Sequence, residues 1–189
     1  GYELYKSPLV SGNVEAVLHQ SEDPALVWYH FDGDGSDAAG RCQDILLDNK
    51  YSSFTEGKFG GALSIDNILA SSGGGNIGFV YPGKGDLTAE IWFKAKNLET
   101  SQYLTGTSYN PWFSLGLSKN GYPVFAIHDN DGNSASAHPD AADIEYKPGD
   151  WVHLAGVYHD RESVSIYVNG KLAAKTSTSL VPLTDPNSV

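Results

Sequence analysis

The sequence predicts an all-β protein, built as an antiparallel two-sheet β-sandwich, and three observations lead to this prediction. First, 21 glycines and nine prolines among 189 residues indicate many tight turns in place of long helices. Second, apolar and polar residues alternate along 87–96 with the two-residue period of a strand. Third, Asn-Gly pairs at 120–121 and 169–170 are typical of two-residue hairpin turns, in which both positions need a positive φ.

Short apolar runs separated by turn signals predict about a dozen strands. The first Asn-Gly pair is expected to join strands at 112–118 and 122–128, and the second to join strands at 163–168 and 171–176. A further strand is predicted at 151–159, after a Pro-Gly-Asp turn. The remaining strands are predicted at 25–31, 43–48, 60–66, 76–80, 101–107 and 141–146.

Tryptophans within the predicted strands are expected to be core residues, because aromatic side chains dominate core packing. These are Trp28, Trp92 and Trp151. Trp92 lies on the otherwise polar side of its strand, which predicts that both faces of this strand are partly covered.

Composition and charge exclude several classes of function. Twelve basic and 23 acidic residues give a net charge of −11, which repels phosphate backbones, so we expect no nucleic-acid partner. No run approaches the roughly 20 apolar residues of a membrane-spanning helix. Cys42 is the only cysteine, so an internal disulfide is excluded.

Four blocks of sequence resemble, in this order, the laminin G-like, concanavalin A-like jelly-roll superfamily. They are ALVWYHFDGDGSDAAG, FTEGKFGGALSIDN, LTAEIWFKAKN and GDWVHLAGVYHDRESVSIYVNGKLAAK. The resemblance extends over about residues 25–175, and the final hairpin is its most specific part. It implies a concanavalin A-like jelly-roll domain at 25–189, preceded by an N-terminal arm or linker at 1–24.

The sequence departs from the family after the final hairpin. Members usually continue through a further strand, whereas this chain ends at LVPLTDPNSV, so we expect the jelly roll to lack its last strand. Two explanations stay open. Either the chain is a fragment, or a neighbouring chain supplies the missing edge, with the arm at 1–24 as a candidate donor.

An acidic loop is the candidate metal site. Asp32, Asp34 and Asp37 lie within six residues, and Ca²⁺ binds such hard oxygen donors. The spacing does not fit an EF-hand, but the resemblance implies a structural Ca²⁺ near this loop. The alternative is an ordinary acidic turn.

The candidate ligand-binding residues come from two other segments. The polar segment 128–140 contributes His128, Asp129, Asp131 and His138, which could hold sugar hydroxyls; the alternative is a long solvated loop. Tyr109 and Trp112 flank an Asn-Pro turn, so we expect them to be the exposed aromatic residues on which a sugar ring stacks.

These residues predict a non-catalytic, lectin-like carbohydrate-binding module, extracellular or at the cell surface, with a glycan or polysaccharide as ligand. The Glu-x-Asp-x-x-Glu strand of concanavalin A-like glucanases does not occur, so a glycoside hydrolase or lyase is the least favoured function. The alternative is a structural or adhesive subunit that joins neighbouring protein chains by strand addition at its open edge.

Overall fold

The computed structural model describes residues 27–40, 44–45, 47, 50, 52–65, 85–106, 112–139 and 145–182. The ten strands of this part are β1 (Ser52–Glu56), β2 (Gly61–Ile65), β3 (Leu87–Phe93), β4 (Gln102–Gly106), β5 (Phe113–Leu117), β6 (Pro123–His128), β7 (Ser134–Ala137), β8 (Val152–His159), β9 (Ser163–Val168) and β10 (Lys171–Ser177). All strand pairings in this part of the chain are antiparallel. The predicted all-β, antiparallel two-sheet sandwich is therefore confirmed.

Two four-stranded sheets form the sandwich. The first sheet has the order β10-β9-β8-β3, and the second has the order β4-β5-β6-β7. Strand β6 packs across β8 and β9, and β7 packs across β9 and β10. The core between the sheets consists of side chains that alternate along each strand, as the two-residue period requires. Its most buried members include Leu115, Phe125, Ile127, Leu154, Tyr158, Val164 and Ile166.

Gly156 of β8 lets the two sheets approach each other closely. A Cβ atom on this residue would lie 2.1 Å from the ring of Phe125 in β6. The Phe125 ring therefore fills the space that any other side chain at 156 would occupy, and the glycine fixes the distance between the sheets at this point.

Both predicted Asn-Gly hairpins are present. Asn120 and Gly121 have φ values of 70° and 79°, and Asn169 and Gly170 have φ values of 50° and 79°. The first pair lies in a short 3₁₀ helix, Lys119–Gly121, between β5 and β6. The second pair joins β9 to β10 directly, with Val168 opposite Lys171.

Several predicted strands differ from the observed ones. Residues 27–31 contribute only a single bridge, between Tyr29 and Asp37, so the strand predicted at 25–31 is wrong in its described part. The described residues of 43–48 and 141–146 are likewise outside any strand. The strands predicted at 60–66 and 101–107 correspond to β2 and β4. The arm at 1–24 and the strand at 76–80 lie outside the described residues.

A separate hairpin of β1 and β2 covers part of the outer face of the first sheet. Phe59, in its turn, contacts the edge of Trp92 with ring centroids 5.5 Å apart, and the Lys58 ammonium lies 5.4 Å from the Trp92 ring centroid. These contacts confirm that both faces of β3 are partly covered, as the position of Trp92 predicts.

Candidate functional site

Asp37, a predicted metal ligand, is instead bonded to the backbone of its own loop. Its side chain is buried, with 8% of the residue exposed. Asp37 Oδ1 accepts hydrogen bonds from the backbone N–H of Trp28 (2.8 Å) and of Ala39 (3.0 Å). Through these two bonds the Asp37 carboxylate joins the backbone at residue 28 to the backbone at residue 39.

The other two predicted metal ligands also contact backbone amides. Asp32 Oδ1 accepts a hydrogen bond from the backbone N–H of Gly61, and Asp34 Oδ1 accepts one from Ser36 N–H at 3.0 Å. The latter bond lowers the pKa of Asp34. In the described ranges, no three His, Cys, Asp or Glu side chains are grouped so that they could hold a metal ion. The structural Ca²⁺ expected near this loop, which would need six to eight oxygen ligands, stays a prediction.

The predicted ligand residues Asp129 and Asp131 lie in the turn between β6 and β7. Asp129 Oδ1 accepts hydrogen bonds from the backbone N–H of Asp131 (2.9 Å) and of Asn133 (2.8 Å). The Asn133 amide donates to Asp129 Oδ2 at 2.8 Å, and this contact is the main cause of the lowered pKa of Asp129. Asp129 thus stabilises the turn, while Asp131 is exposed.

An open cleft of about 310 Å³ lies beside this turn. It separates Asp129–Asp131 from the segment that follows β10, and Asp131 is one of its polar residues. The opposite wall consists of Ser179, Leu180, Val181 and Pro182.

The predicted ligand residues His128 and His138 lie far apart, because of the way β6 pairs with β7. His128 is opposite Ser134, whereas Ala137 is opposite Phe125, so His138 lies at the other end of the β6-β7 hairpin. At about 3.3 Å per residue the two histidines are roughly 13 Å apart along the strands. Burial lowers the pKa of His128, which favours its neutral form.

Trp112 is buried, contrary to the expectation that it is exposed. Only 7% of it is accessible, and its ring packs against Phe113 at a centroid distance of 4.4 Å. Its carbonyl accepts a hydrogen bond from the backbone N–H of His128 at 3.1 Å, which extends the pairing of β5 with β6. Tyr109 lies outside the described residues.

Trp28, expected in the core, is instead exposed. It is 42% accessible, and its ring stacks on the imidazole of His30 with centroids 4.7 Å apart and planes 23° apart. Since His30 covers one face of the indole, the accessible surface belongs to the ring edge and the opposite face. We call Trp28 and His30 the aromatic platform.

Hydrogen bonds and one ring contact hold the backbone beneath the aromatic platform. Trp28 donates to Asp37, as described above, and the Trp28 carbonyl accepts a hydrogen bond from Ala38 N–H at 2.7 Å. Tyr29 forms a bridge to Asp37, and the Tyr29 ring stacks on Phe31 at 5.9 Å. The platform is thus an ordered surface that needs little rearrangement to bind a ligand.

The sequence contained a signal for this platform. Trp28 and His30 occupy alternate positions, so an extended backbone places them along one side. The hydrophobic run LVWYHF obscured this signal, because aromatic and β-branched residues in such a run also indicate a buried strand.

Two other histidines form contacts between β3 and β8. His153 Nε2 lies 3.5 Å from Glu90 Oε2, and this contact lowers the pKa of Glu90. His159 Nδ1 lies 3.1 Å from Asp86 Oδ2. The first pair connects β8 to β3, and the second connects β8 to the residue that precedes β3.

The fold is shared with several solved structures. The binding domain of Paraclostridial mosquitocidal protein 1 superposes with a TM-score of 0.60 and 16% identity, over 75% of this chain and 37% of that chain. Domain 4 of AbnA superposes with a TM-score of 0.57 and 18% identity, over 84% of this chain and 78% of that chain. AbnA is a GH43 extracellular arabinanase from Geobacillus stearothermophilus, and the domain was solved in complex with arabinotriose. The binding domain of botulinum neurotoxin serotype G superposes with a TM-score of 0.58 and 14% identity, over 77% of this chain and 37% of that chain. This chain therefore spans well under half of the two toxin domains.

No curated protein matches the sequence significantly. No helix in the described ranges is long and apolar enough to cross a membrane. Residues 69–189 match the laminin G family model described as the concanavalin A-like lectin/glucanases superfamily. The aromatic platform lies before the matched residues. Because the match extends over more than half of the chain, the protein belongs to the concanavalin A-like lectin/glucanases superfamily.

Proposed function

We propose that this protein is a non-catalytic carbohydrate-binding module of an extracellular or cell-surface protein. The observation that carries the proposal is the exposed aromatic platform, in which Trp28 is 42% accessible and held on an anchored backbone. An exposed indole has a large apolar face, and burying it against a ligand provides a substantial part of a binding free energy.

A sugar ring suits this platform for a physical reason. One face of a pyranose carries C–H groups that pack on an aromatic ring, while its hydroxyls need hydrogen-bond partners at the edge. The polar neighbour that the structure shows on Trp28 is the stacked imidazole of His30, whose side chain is 35% exposed.

The structural similarities support the proposal at the level of the fold. The arabinanase domain is a superposable domain of an extracellular enzyme and is bound to arabinotriose. Its likeness to this chain supports a glycan ligand and an extracellular setting.

The non-catalytic part of the proposal rests on the sequence. A retaining glycoside hydrolase needs two carboxyl groups that face one cleft, and the Glu-x-Asp-x-x-Glu strand that supplies them in concanavalin A-like glucanases does not occur here.

A glycan array tests the proposal, with the wild type compared with Trp28→Ala. We expect reproducible binding of the wild type and a loss of about tenfold or more in affinity for the variant, as for an aromatic hot spot. Tyr103→Ala is the matched control, because Tyr103 is an aromatic residue of β4 that is 67% exposed. Absence of any binding by the folded wild type, or equal binding by Trp28→Ala, contradicts the proposal.

Repeating the array with a chelator tests the predicted Ca²⁺ requirement separately. Binding that disappears with the chelator supports a Ca²⁺ requirement, and binding that is insensitive to the chelator contradicts it.

Assembly through a sheet edge is the second candidate function. Strands β4 and β10 lie at the ends of their sheets, and each carries an exposed apolar side chain, Tyr103 at 67% and Leu172 at 54%. Sedimentation at high protein concentration tests it. Oligomers that Tyr103→Ala dissociates support assembly, whereas a monomer at every concentration contradicts it.

A further inference from the structure

We infer that the cleft between the β6-β7 turn and the segment after β10 is a second carbohydrate-binding site, which takes one sugar ring and prefers neutral sugars to acidic ones. The inference rests on the proposed function, in which a glycan is the ligand, and it adds a site that shares no residue with the aromatic platform. We call this site the turn cleft. It is lined by Asp129, Asn130 and Asp131 on one side and by residues 179–182 on the other.

The size of the turn cleft suits a small ring. Its volume is about 310 Å³, which is at the lower end of the range for ligand pockets in proteins. Because the cleft is open to solvent, the end of a glycan chain can enter it while the rest of the chain stays outside. A single sugar ring therefore fits the turn cleft better than a long stretch of polymer.

The wall that follows β10 is ordered and partly apolar. Thr178 N–H donates to the Glu162 carbonyl at 2.9 Å, and the Tyr158 hydroxyl donates to the Leu180 carbonyl at 2.9 Å. Leu180 and Val181 are half-buried, and both pack against the core. The apolar surface that they leave exposed can contact the C–H groups of a sugar ring.

The opposite wall is polar, and Asp129 holds it in place. Asp129 Oδ1 accepts the backbone N–H groups of Asp131 and Asn133, and its Oδ2 accepts the Asn133 side-chain amide. Asp129 is therefore a positioning residue. Asp131 contributes its backbone N–H to this turn, and its exposed side chain can accept hydrogen bonds from two neighbouring hydroxyls of one ring. Such charge-assisted bonds are stronger than neutral ones.

The two walls together match the chemistry of a sugar. A sugar ring has C–H groups for the apolar wall and hydroxyls for the polar wall, whereas a bare cation or a purely apolar ligand would use only one of them. Because hydrogen bonds hold both walls, the turn cleft loses little conformational freedom when a ligand binds.

The charge of the turn cleft distinguishes neutral sugars from acidic ones. Two carboxylates line it, and none of the residues that the structure places at its walls is a lysine or an arginine. The hydrogen bonds from Asn133 hold the pKa of Asp129 below its ordinary value, so this group is ionised at neutral pH. A uronate adds a further carboxylate, and like charges repel each other.

An NMR titration with methyl glycosides tests the inference. The probes are the methyl glycosides of glucose, galactose and mannose, each compared with its uronide, in which a carboxylate replaces the C6 hydroxymethyl group. We expect a neutral glycoside to shift the backbone amide signals of Asn130, Asp131 and Leu180. We expect its uronide to bind about fivefold more weakly at low salt. The same shifts should appear in Trp28→Ala, in which the aromatic platform is removed.

Asp131→Ala isolates the exposed carboxylate of the turn cleft. The turn uses the backbone N–H of Asp131, which the substitution keeps. We expect this variant to bind the neutral glycoside about fivefold more weakly. Glu99→Ala is the matched control, because it removes the same charge from an exposed position. Glu99 lies in the loop after β3, where Leu98 packs on Gly121 at the opposite end of β6.

The outcomes separate the turn cleft from the aromatic platform. The inference is overturned if none of the three neutral glycosides shifts the signals of the turn cleft, or if Asp131→Ala and Glu99→Ala weaken binding equally. Equal affinity for a glycoside and its uronide also overturns it. Shifts that vanish in Trp28→Ala overturn it as well, because the ligand then occupies the platform alone. The proposed function fails on a different result, namely that no glycan on the array depends on Trp28.

Discussion

At the scale of single residues, Asp37 determines the position of Trp28. Its buried carboxylate accepts the backbone N–H groups of Trp28 and Ala39, and its own N–H donates to Asp44 Oδ1 at 3.1 Å. Whether or not a metal binds nearby, this carboxylate satisfies two partly buried backbone donors.

Substitution of Asp37 tests this role. We expect Asp37→Ala to remove two partly buried hydrogen bonds, at a local cost of about 0.5–1.5 kcal/mol each, and to weaken glycan binding without changing Trp28 itself. Asp37→Asn keeps the acceptor oxygen and should restore most of the binding, measured by calorimetry. Equal binding by Asp37→Ala and the wild type would show that the platform does not need this anchor.

The exposure of individual tryptophans could not be predicted from local sequence. Trp28 lies in an apolar run and Trp112 beside a turn, yet Trp28 is exposed and Trp112 is buried. Exposure depends on which elements pack on a side chain, and those are determined by contacts that are distant in sequence. The alternation of Trp28 and His30 was readable, but it did not indicate which side faces solvent.

At the scale of elements, the Asn-Gly hairpins were predictable from the sequence, whereas strands β1 and β7 were not. Asn-Gly turns and apolar alternation identified β5, β6, β8, β9 and β10 because each signal is local. The segment SASA of β7 alternates Ser and Ala, but these side chains are small and the surrounding segment is polar, so the sequence also fits a solvated loop. It is a strand because it pairs with β6, with Ala137 opposite Phe125.

The close contact of β8 with β6 gives a prediction about stability. We expect Gly156→Ala to force the Phe125 ring from its position and to lower the free energy of unfolding by about 1–3 kcal/mol, as overpacking does. Chemical denaturation measures this change. Gly132→Ala is a comparison at a site with open space around the residue, although its φ of 83° also adds strain. An unchanged midpoint for Gly156→Ala contradicts the packing described here.

At the scale of the whole molecule, ionisable groups make stability depend on pH. The backbone N–H of Asp160 is the main cause of the lowered pKa of Asp86, and the contact with His153 lowers the pKa of Glu90. Burial lowers the pKa of His128. Each group therefore binds protons more weakly in the folded state than in the unfolded state.

The sign of the pH effect follows from these directions. The stability from His128 begins to be lost as pH falls below its ordinary value of 6.5. The stability from Asp86 is lost as pH falls through its lowered pKa, below 3.8. We expect Tm to decrease steadily from pH 7 to pH 3, measured by calorimetry. We expect Asp86→Asn to lower Tm at pH 7 by up to about 2–4 °C, since Asp86 is largely exposed. A Tm that rises on acidification contradicts this account.

The central claim is that Trp28 contacts a glycan, and an NMR titration tests it most directly. The protein has four tryptophans, so four indole N–H signals are expected in a ¹⁵N-correlated spectrum, and Trp28→Phe assigns one of them. We predict that a bound glycan shifts the Trp28 signal while those of the buried Trp112 and the covered Trp92 stay in place. A glycan that binds outside the turn cleft without moving the Trp28 signal would contradict the account.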